Sequence, residues 1–358
     1  MSVLIMAGGT GGHIMPGLAL AQALRERGQT VDWLGTAAGM EARLVPQAGL
    51  PLHTISVAGV RGKGWAARLA LPWTLARSVW QAWRLLRKLK PRLVFGFGGY
   101  AAAPGGLAAA LAGVPLLIHE QNARAGSTNR LLARFARGVY AAYPHTFADS
   151  SRVRVVGNPV RAQILALPEP QARGVGAQQP LRLLVLGGSQ GAQVLNEIVP
   201  AALAQLPEAL RPQVRHQAGR TLAAAQQAYA AAGLDAAPEA FIDDMPAAYA
   251  QADLVICRAG ALSLAELAAV GLAAILVPLP NAIDDHQRAN AEHQVAAEGG
   301  WLLPQAELSA ERLAALLGEI AAAPQQLQDK ATALRASARR QATEALRDAA
   351  LEFMGDPR

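Results

Sequence analysis

The sequence predicts an α/β fold of two doubly wound parallel-sheet domains. Short apolar segments alternate with amphipathic helical segments, as parallel strands joined by crossover helices require. The alternation breaks after Gly157-Asn158-Pro159 and restarts near Leu181, so two cores are expected. Each half opens with a glycine-rich turn between a strand and a helix, Gly8–Gly12 in the first half and Gly187–Gly191 in the second.

The individual elements follow from apolar runs and the residues that end them. In the first half, a helix at 16–27 ends at Gly28, and strands are predicted at 3–7, 31–34, 93–97, 116–119, 138–141 and 153–156. In the second half, strands are predicted at 181–186, 214–217, 240–242, 254–257 and 274–277. The alanine-rich, charged tail from Ala323 onward is predicted to be helical.

These elements divide the chain into four parts. A first domain is expected over residues 1–160 and a second over 181–340. Residues 161–180 are expected to be a linker about which the domains close, because the composition turns to Pro, Gln, Gly and Ala after Leu167. A C-terminal helix over 341–358 is expected to pack back on the first domain.

Composition restricts the classes of function. The 358 residues are 52% hydrophobic and 16% charged, which can supply two full cores and excludes a largely disordered chain. The single cysteine, Cys257, lies in an apolar run and is interpreted as a buried strand residue, so a disulfide framework is excluded. No signal peptide and no membrane-spanning helix are predicted. The chain is therefore expected to be soluble or bound to a membrane surface.

The positive charge is concentrated in the first half. The net charge is +7, and no acidic residue lies between Glu41 and Glu120, which favours an acidic partner. If Trp73–Leu89 is helical, one face is an apolar core stripe of Leu75, Val79, Ala82, Leu86 and Leu89. The opposite face consists of Trp73, Arg77, Trp80, Trp83, Arg84 and Arg87.

This Trp/Arg face suits the headgroup layer of an anionic membrane. The alternative is that its tryptophans cover a neighbouring loop while its arginines are simply solvated. Nucleic acid would attract the same charge, but no nucleic-acid recognition motif accompanies it. A membrane surface is therefore the favoured partner.

The glycine turns predict phosphate binding at strand ends. Glycine lets the backbone approach a ligand closely, and the helix that follows presents free N–H groups to an anion. A third candidate turn runs from Arg258 to Glu266. One such turn is equally well explained as a tight connection, but three in one chain favour a nucleotide.

Two common nucleotide motifs are not met. Ile14 stands where the third glycine of G-x-G-x-x-G belongs, although Asp32 is suitably spaced to bind a ribose. No lysine follows either turn, as a P-loop would require. Glu266 has two interpretations, since it forms a capping-box pattern with Ser263 or accepts the ribose hydroxyls of a nucleotide.

Five motifs together resemble one family. They are Gly8-Gly9-Thr10-Gly11-Gly12-His13, His119-Glu120-Gln121-Asn122, Gly157-Asn158-Pro159-Val160-Arg161, Gly187-Gly188-Ser189-Gln190-Gly191 and Asp285-His286-Gln287. In this order and spacing the chain resembles, over nearly its whole length, the MurG family of bacterial N-acetylglucosaminyltransferases, which convert lipid I to lipid II in peptidoglycan synthesis.

The resemblance implies a GT-B fold, in which two Rossmann-like domains face each other across a cleft. It implies a lipid acceptor on the first domain, UDP-N-acetylglucosamine on the second, and inverting transfer to the C4 hydroxyl of N-acetylmuramic acid. It places the chain peripherally at the cytoplasmic face of the bacterial plasma membrane. The donor contacts it implies are Thr10, Gly11, Gly12, Asn122, Arg161, Ser189, Ile242, Ala261, Leu262, Ser263, Leu264, Ala265, Glu266 and Gln287. No cofactor or metal is implied, so Asp243-Asp244 and Asp284-Asp285 are interpreted as loop and cap residues.

Two residues are candidates for the base that takes the acceptor proton. His13 is preferred, because it lies at the first glycine turn and histidine titrates near neutral pH. The alternative is that His13 only orients substrate phosphates. Glu120 is the second candidate, and hydrogen bonding within its own loop is the competing interpretation.

Three other functions remain open from the sequence. A GT-B transferase with a different acceptor would share the glycine turns. A UDP-sugar 2-epimerase would convert its substrate without an acceptor and would leave the Trp/Arg face unexplained. A nucleotide-sensing module would bind a UDP-sugar without turnover.

Overall fold

The computed structural model describes residues 2–57, 71–149, 151–188, 190–280 and 285–355. They form two compact units. The first unit comprises the chain up to Val160 together with the chain from Arg339 onward, and the second comprises Arg161–Ala338. Among the described helices, none combines the length and the apolar content needed to cross a membrane.

The first unit contains a seven-stranded sheet. Its strands are β1 (Ser2–Ala7), β2 (Thr30–Gly35), β3 (Leu52–Thr54), β4 (Leu93–Gly98), β5 (Leu116–Glu120), β6 (Gly138–Ala141) and β7 (Val153–Val155). All neighbouring strands run parallel, in the order β3-β2-β1-β4-β5-β6-β7. The direction of winding reverses between β1 and β4, which makes this edge the switch point of the sheet.

Helices cover both faces of this sheet. They include α1 (Gly11–Glu26), α2 (Glu41–Gln47), α3 (Leu71–Leu89), α4 (Ala102–Leu111) and α5 (Ser127–Leu132). In β1, Val3 and Ile5 pack in the cluster that contains α1, while Leu4 and Met6 pack in the cluster that contains α3 and α4. Burial on alternate sides explains why β1 is a continuous apolar run.

The second unit contains a five-stranded parallel sheet. Its strands are β8 (Arg182–Leu186), β9 (Gln213–Gln217), β10 (Leu254–Cys257), β11 (Ala274–Leu276) and β12 (Gly300–Leu302), in the order β12-β11-β10-β8-β9. Its helices are α6 (Ala162–Leu165), α7 (Pro170–Arg173), α8 (Gln193–Gln205), α9 (Leu222–Ala231), α10 (Met245–Gln251), α11 (Ala261–Val270), α12 (His286–Ala296), α13 (Ala310–Ala322) and α14 (Gln325–Ser337). The switch point of this sheet lies between β8 and β10.

The last helix, α15 (Ala342–Met354), is part of the first unit. Leu346, Leu351 and Met354 pack in the same apolar cluster as Leu20 and Leu24 of α1. The described end of the chain therefore contributes to the core that supports the first glycine turn.

Residues 161–180 do not form the expected linker. They contain α6 and α7 and belong to the second unit. Arg173 donates hydrogen bonds to the carbonyl oxygens of Val270 (2.6 Å) and Gly271 (2.8 Å), and the backbone N–H of Gly176 donates to Asp253. Polar groups of this segment bind backbone carbonyl oxygens and the buried carboxylate of Asp253. Composition alone does not show whether such groups bind to the protein or to water.

The strand expected at 240–242 is absent. Only Glu239 pairs with the sheet edge, through an isolated parallel bridge to Gln217. The N–H of Glu239 donates to the carbonyl oxygen of His216, and its own carbonyl oxygen accepts the N–H of Ala218. The sheets also contain β3 and β12, which the sequence patterns did not predict.

Candidate functional site

The switch point of the first sheet brings two glycine turns into contact. Gly9, which follows β1, has a φ of +90°, and Gly98 and Gly99 at the end of β4 have φ of +98° and +86°. A Cβ atom on Gly99 would lie 2.2 Å from the carbonyl oxygen of Gly8. Only glycine allows this approach, so the contact between the two turns requires Gly99.

Helix α1 begins inside the first glycine turn, at Gly11, and not at Pro16 as predicted. Thr10 precedes the helix without a side-chain cap, and a Cβ on Gly11 would meet nothing within 4 Å. The first N–H groups of a helix have no acceptor within the helix, and its dipole favours an anion there. Thr10, Gly11 and Gly12 are therefore brought together in an open turn that fits an anionic group.

A buried carboxylate supports this turn from below. Glu41 is fully buried, and its Oε2 accepts the N–H of Gly9 at 3.0 Å. Its Oε1 accepts the N–H of Thr36 at 2.9 Å and the Thr36 hydroxyl at 2.7 Å. Burial acts to raise the pKa of Glu41, but these hydrogen bonds outweigh it and leave the pKa below its usual value. Glu41 thus ties the glycine turn to the loop after β2, a role the sequence analysis did not predict.

His13 lies in the first turn of α1 and is half-buried. Its Nδ1 is 3.0 Å from Oε1 of Gln121, and Gln121 Nε2 is 3.1 Å from the carbonyl oxygen of His119 and 3.2 Å from its Nδ1. The Nε2 of His119 is in turn 2.8 Å from the carbonyl oxygen of Gly157. The imidazole that was predicted to be the base is therefore held by a chain of buried polar groups.

Glu120, the second candidate base, is organised as a loop residue. It is 1% exposed, and Oε1 accepts the backbone and side-chain N–H groups of Asn122 at 3.0 and 3.1 Å. Oε2 accepts the N–H of Gly126 at 3.1 Å and the Asn129 side chain at 2.9 Å. With four donors on a buried carboxylate, the geometry favours the loop interpretation over proton abstraction. Asn122, an implied donor contact, is likewise bound to Glu120.

Two residues of this region were missed by the sequence analysis as site residues. Tyr100 follows the Gly98-Gly99 turn and is 55% exposed, and a Cβ on Gly9 would lie 3.9 Å from its ring. Gln121 is buried and contacts His13. A glycine pair after a buried strand, followed by an aromatic residue, is the signal that could have identified Tyr100.

The ribose-binding role considered for Asp32 does not fit its surroundings. Asp32 lies on β2, and its Oδ1 is 2.8 Å from Nε2 of His53 on β3. This pair joins two neighbouring strands. Asp32 is therefore engaged within the sheet, and the dinucleotide interpretation loses the acidic residue that would bind the ribose.

The switch point of the second sheet also holds a glycine turn. Gly188 and Gly191 have φ of +73° and +81°. A Cβ on Gly219 would lie 2.4 Å from the carbonyl oxygen of Gly188, so a second glycine backbone packs against the turn. Ser189, an implied donor contact, lies outside the described residues.

The third turn, at the end of β10, leads into α11. This helix begins at Ala261 after Gly260 and has no side-chain cap. The capping-box interpretation is therefore wrong, because Ser263 lies inside the first helical turn and the carboxylate of Glu266 bonds elsewhere. The N-terminal turn of this helix stands at the same switch point as the turn that contains Gly188, where the helix dipole favours an anion.

The carboxylate of Glu266 is buried beside this turn. Its Oε1 accepts Nε and Nη2 of Arg161 at 3.2 and 3.0 Å, and its Oε2 accepts the Tyr249 hydroxyl at 3.0 Å. Burial raises the pKa of Glu266, opposed by Arg161 and by the hydrogen bonds. The guanidinium of Arg161 remains partly exposed. Two implied donor contacts, Arg161 and Glu266, are thus in direct contact.

The other implied donor residues differ in what they can offer a ligand. The side chains of Ile242, Ala261 and Leu264 are buried in the core, so only their backbones could contact a donor. Those of Leu262, Ser263 and Ala265 are half-buried.

Further side chains around this switch point support its loops. Gln287 accepts the N–H of Leu279 at 2.9 Å and so holds the segment after β11. Arg258 donates to the carbonyl oxygen of Val277 at 3.1 Å and to Gln305 at 2.7 Å, and burial lowers its pKa. Arg258 therefore positions a loop, which leaves Arg161 as the better placed cation for a phosphate.

The paired aspartates are consistent with their structural interpretation. Asp244 caps α10 by accepting the N–H of Ala247 at 2.9 Å, and Asp285 directly precedes α12 with a φ of +52°. Asp284 lies outside the described residues. In the described parts of the chain, no three His, Cys, Asp or Glu side chains are grouped closely enough to hold a metal ion.

Helix α3 presents the Trp/Arg face, with one correction. Ser78, Ala82 and Leu86 form its buried stripe, whereas Leu75 is 40% exposed and is not a core residue. The hydroxyl of Ser78 donates to the carbonyl oxygen of Ser56, and Val79 and Leu89 of the predicted stripe are partly buried against the same core.

The aromatic residues of this face differ in exposure. Trp73 is 81% and Trp80 53% exposed, whereas Trp83 is half-buried against the core. The guanidinium of Arg84 lies 4.8 Å from the Trp80 ring, and that of Arg87 lies 5.2 Å from the Trp83 ring. An open apolar groove of about 690 Å³ runs between α3 and α4. It is lined by Pro72, Leu75, Ala76, Val79, Trp80, Trp83, Leu107 and Leu111.

Two parallel-sheet units with glycine turns at both switch points are the architecture of GT-B glycosyltransferases, and the chain is a glycosyltransferase. The model of the glycosyltransferase family 28 N-terminal domain matches residues 3–141, and that of the family 28 C-terminal domain matches residues 182–346. The chain therefore belongs to glycosyltransferase family 28 and, within it, to the MurG family.

Similar proteins support this placement. A protein of Alkalilimnicola ehrlichii is 57% identical over 94% of both chains, and one of Chromohalobacter salexigens is 57% identical over 96% of this chain and 94% of its own. Both are named UDP-N-acetylglucosamine–N-acetylmuramyl-(pentapeptide) pyrophosphoryl-undecaprenol N-acetylglucosamine transferase. The crystal structure of Acinetobacter baumannii MurG is 40% identical, covers 98% of this chain and 99% of its own, and superposes with a TM-score of 0.84.

Proposed function

We propose that this chain transfers N-acetylglucosamine from UDP-N-acetylglucosamine to the C4 hydroxyl of the N-acetylmuramyl group of lipid I, with inversion, to form lipid II and UDP. The observation that carries the proposal is the near full-length match to relatives of that name, in a chain whose glycine turns lie at both switch points. Family membership favours transfer over the epimerase and sensor alternatives.

The second unit is proposed to hold the UDP part of the donor. The diphosphate is proposed to bind at the first turn of α11, where the positive end of the helix dipole favours an anion. Arg161 adds a guanidinium that pairs with phosphate in a bidentate manner. Glu266, released from Arg161 when that side chain engages phosphate, is proposed to accept the ribose hydroxyls. The same positive groups stabilise UDP as it leaves.

The first unit is proposed to supply the base. The C4 oxygen of the acceptor attacks the anomeric carbon, the bond from that carbon to the diphosphate oxygen breaks, and the hydroxyl proton passes to Nε2 of His13. Glu120 and Glu41 hold the neighbouring loops and do not take the proton. Tyr100 offers an exposed ring beside the same turn.

The Trp/Arg face of α3 is proposed to dock the chain peripherally on the cytoplasmic face of the bacterial plasma membrane. Trp73 and Trp80 are exposed, and the guanidinium of Arg84 lies over the ring of Trp80. Tryptophan and arginine together suit the headgroup layer of an anionic bilayer. The adjoining groove offers apolar surface to the same layer.

Labelled UDP-N-acetylglucosamine, incubated with and without a lipid I analogue, tests the reaction. Transfer of label and release of UDP only in the presence of the acceptor is the expected result. Conversion of the sugar nucleotide without acceptor would identify an epimerase, and binding without turnover would identify a sensor. Transfer to other acceptors but not to the lipid I analogue would point to another transferase.

Docking is tested with vesicles that contain anionic phospholipid. The double substitution Arg84→Gln and Arg87→Gln should weaken vesicle binding by about 30-fold, since each basic residue near the surface contributes about 1 kcal/mol. UDP binding should not change. The matched control, Arg288→Gln with Arg312→Gln, removes two exposed arginines of the second unit and should leave vesicle binding intact. Equal loss in both double variants would contradict docking through α3.

A further inference from the structure

We propose that Gln121 is a positioning residue that fixes the tautomer of His13, with the proton on Nδ1 and the free lone pair on Nε2. This inference rests on the proposed function in one respect, namely that His13 is the base. Gln121 itself touches no reacting atom. It acts by deciding which ring nitrogen of His13 is able to take a proton.

The orientation of the Gln121 amide follows from its neighbours. One of its terminal atoms lies 3.1 Å from the carbonyl oxygen of His119, which can only accept a hydrogen bond. That terminal atom is therefore the Nε2 donor, and the oxygen faces His13. Because Oε1 can only accept, the Nδ1 of His13 at 3.0 Å must carry the proton. The second nitrogen, Nε2, is then unprotonated in the neutral ring, as a base requires.

His119 reinforces this assignment from the other side. Its Nε2 lies 2.8 Å from the carbonyl oxygen of Gly157, so Nε2 carries the proton and Nδ1 is an acceptor. That acceptor faces Gln121 Nε2 at 3.2 Å. His119 is fully buried, and burial lowers its pKa to about 4, so the ring stays neutral and keeps this acceptor at neutral pH.

The series of hydrogen bonds from His13 to Gly157 therefore has one consistent direction: His13 donates to Gln121, Gln121 donates to His119, and His119 donates to the carbonyl oxygen of Gly157. Reversing the Gln121 amide would place its oxygen against the carbonyl oxygen of His119 and would leave Nδ1 of His13 facing an N–H group. Gln121 is 1% exposed, so water does not compensate for either contact. Its backbone is held as well, because Asn158 Nδ2 donates to the carbonyl oxygen of Gln121 at 3.0 Å.

The position of the His13 ring is also constrained. A Cβ on Gly98 would lie 3.2 Å from both Nδ1 and Cε1 of His13, so the ring rests against a glycine of the β4 turn. The imidazole is bound on one edge by Gln121 and supported by Gly98. The Nε2 edge is the one that this arrangement leaves for a substrate.

Nitrogen-15 NMR of the imidazole rings tests the proposal in the unmodified protein. The His13 signals are assigned by their loss in His13→Gln. In the neutral ring, Nε2 of His13 should show the chemical shift of an unprotonated nitrogen and Nδ1 that of a protonated one. A protonated Nε2 in the unmodified protein would overturn the proposal without any further variant.

The Gln121→Met substitution keeps side-chain length and removes both hydrogen-bonding atoms. Protonation of His13 should shift toward Nε2, and kcat should fall about 10- to 100-fold, within the 10²–10⁴ that a general base supplies. KM for UDP-N-acetylglucosamine should stay within about twofold. Gln294→Met makes the same change at a buried glutamine of the second unit whose Nε2 has no partner among the described residues, and it should leave the His13 signals unchanged.

A double substitution separates positioning from a general loss of structure. If Gln121 acts through His13, His13→Gln combined with Gln121→Met should be no slower than His13→Gln alone. Additive losses of kcat would contradict the positioning role. The two proposals fail differently: unchanged kcat in His13→Gln removes His13 as base, whereas an unchanged tautomer in Gln121→Met removes Gln121 as the residue that fixes it.

Discussion

The two switch points use the same backbone device but place their carboxylates differently. In the first unit, Glu41 and Glu120 are buried beneath the loops and accept their donors from those loops. In the second unit, Glu266 is paired with Arg161, a side chain that remains partly exposed. Glu41 and Glu120 hold their loops in place, whereas Glu266 can exchange its partner, Arg161, for a ligand.

The difference shows that a glycine turn marks where a ligand binds but not what is done to it. A turn supported by internal carboxylates can present a histidine rigidly. A turn beside an ion pair can instead respond to an anion. Variants of the first unit should therefore change kcat or stability, and variants of the second should change donor affinity.

The largest effect is expected for His13→Gln. Removing the proposed base should lower kcat by about 10²- to 10⁴-fold, while the Kd for UDP changes by less than about threefold. Steady-state kinetics with a lipid I analogue and calorimetric titration with UDP measure the two quantities. A large loss of UDP affinity with unchanged kcat would place His13 in donor binding and break the contrast between the units.

Arg161→Gln should weaken UDP binding by about 10- to 100-fold, since a charge-assisted contact to phosphate contributes about 1.5–3 kcal/mol. Uridine, which carries no phosphate, should bind with little change. Titration of both ligands gives the ratio. Arg215→Gln, which breaks a half-exposed pair with Glu239, is the control and should affect neither ligand. Equal losses for UDP and uridine would show that Arg161 acts by holding Glu266 and not by contacting phosphate.

The smallest effect is expected for Glu41→Gln, which should lower the free energy of unfolding of the first unit by about 1–3 kcal/mol at pH 7. The pKa of Glu41 is lowered in the folded protein, so its stabilising effect is present above the ordinary glutamate pKa of about 4.3 and is lost as the pH falls through the folded value. The difference between variant and parent should therefore shrink below about pH 4. Urea unfolding followed by circular dichroism at several pH values measures it, and a pH-independent difference would contradict the role of the charge.

Sequence patterns predicted most of the architecture because apolar runs and glycine turns are local signals. They placed β1, β4, β5, β8 and β10, and the helices after the turns. They failed where a contact distant in sequence decides the outcome. Pairing with the edge strand occurs at Glu239 and not at 240–242, and the hydrogen bonds of Arg173 tie residues 161–180 to the second unit.

The site was predicted less completely for the same reason. Glu41 lies 32 residues from the N–H group that it accepts, and Gln121 lies 108 residues from His13, so neither partnership leaves a local pattern. The Ser263-x-x-Glu266 pattern was misleading because the helix begins earlier, at Ala261. The sequence predicted which turns and residues belong to the site, whereas the hydrogen-bond partners of each carboxylate depended on the fold.

Cys257, on the central strand of the second unit, is the single thiol of the chain. It is 1% exposed, and burial raises its pKa to about 12, so it is shielded from alkylating reagents while that unit stays folded. Its rate of alkylation in increasing urea would therefore report the opening of the second unit alone. The unmodified protein therefore carries a built-in probe of the opening of its second unit. A ligand that stabilises this unit should lower the rate at which Cys257 is alkylated.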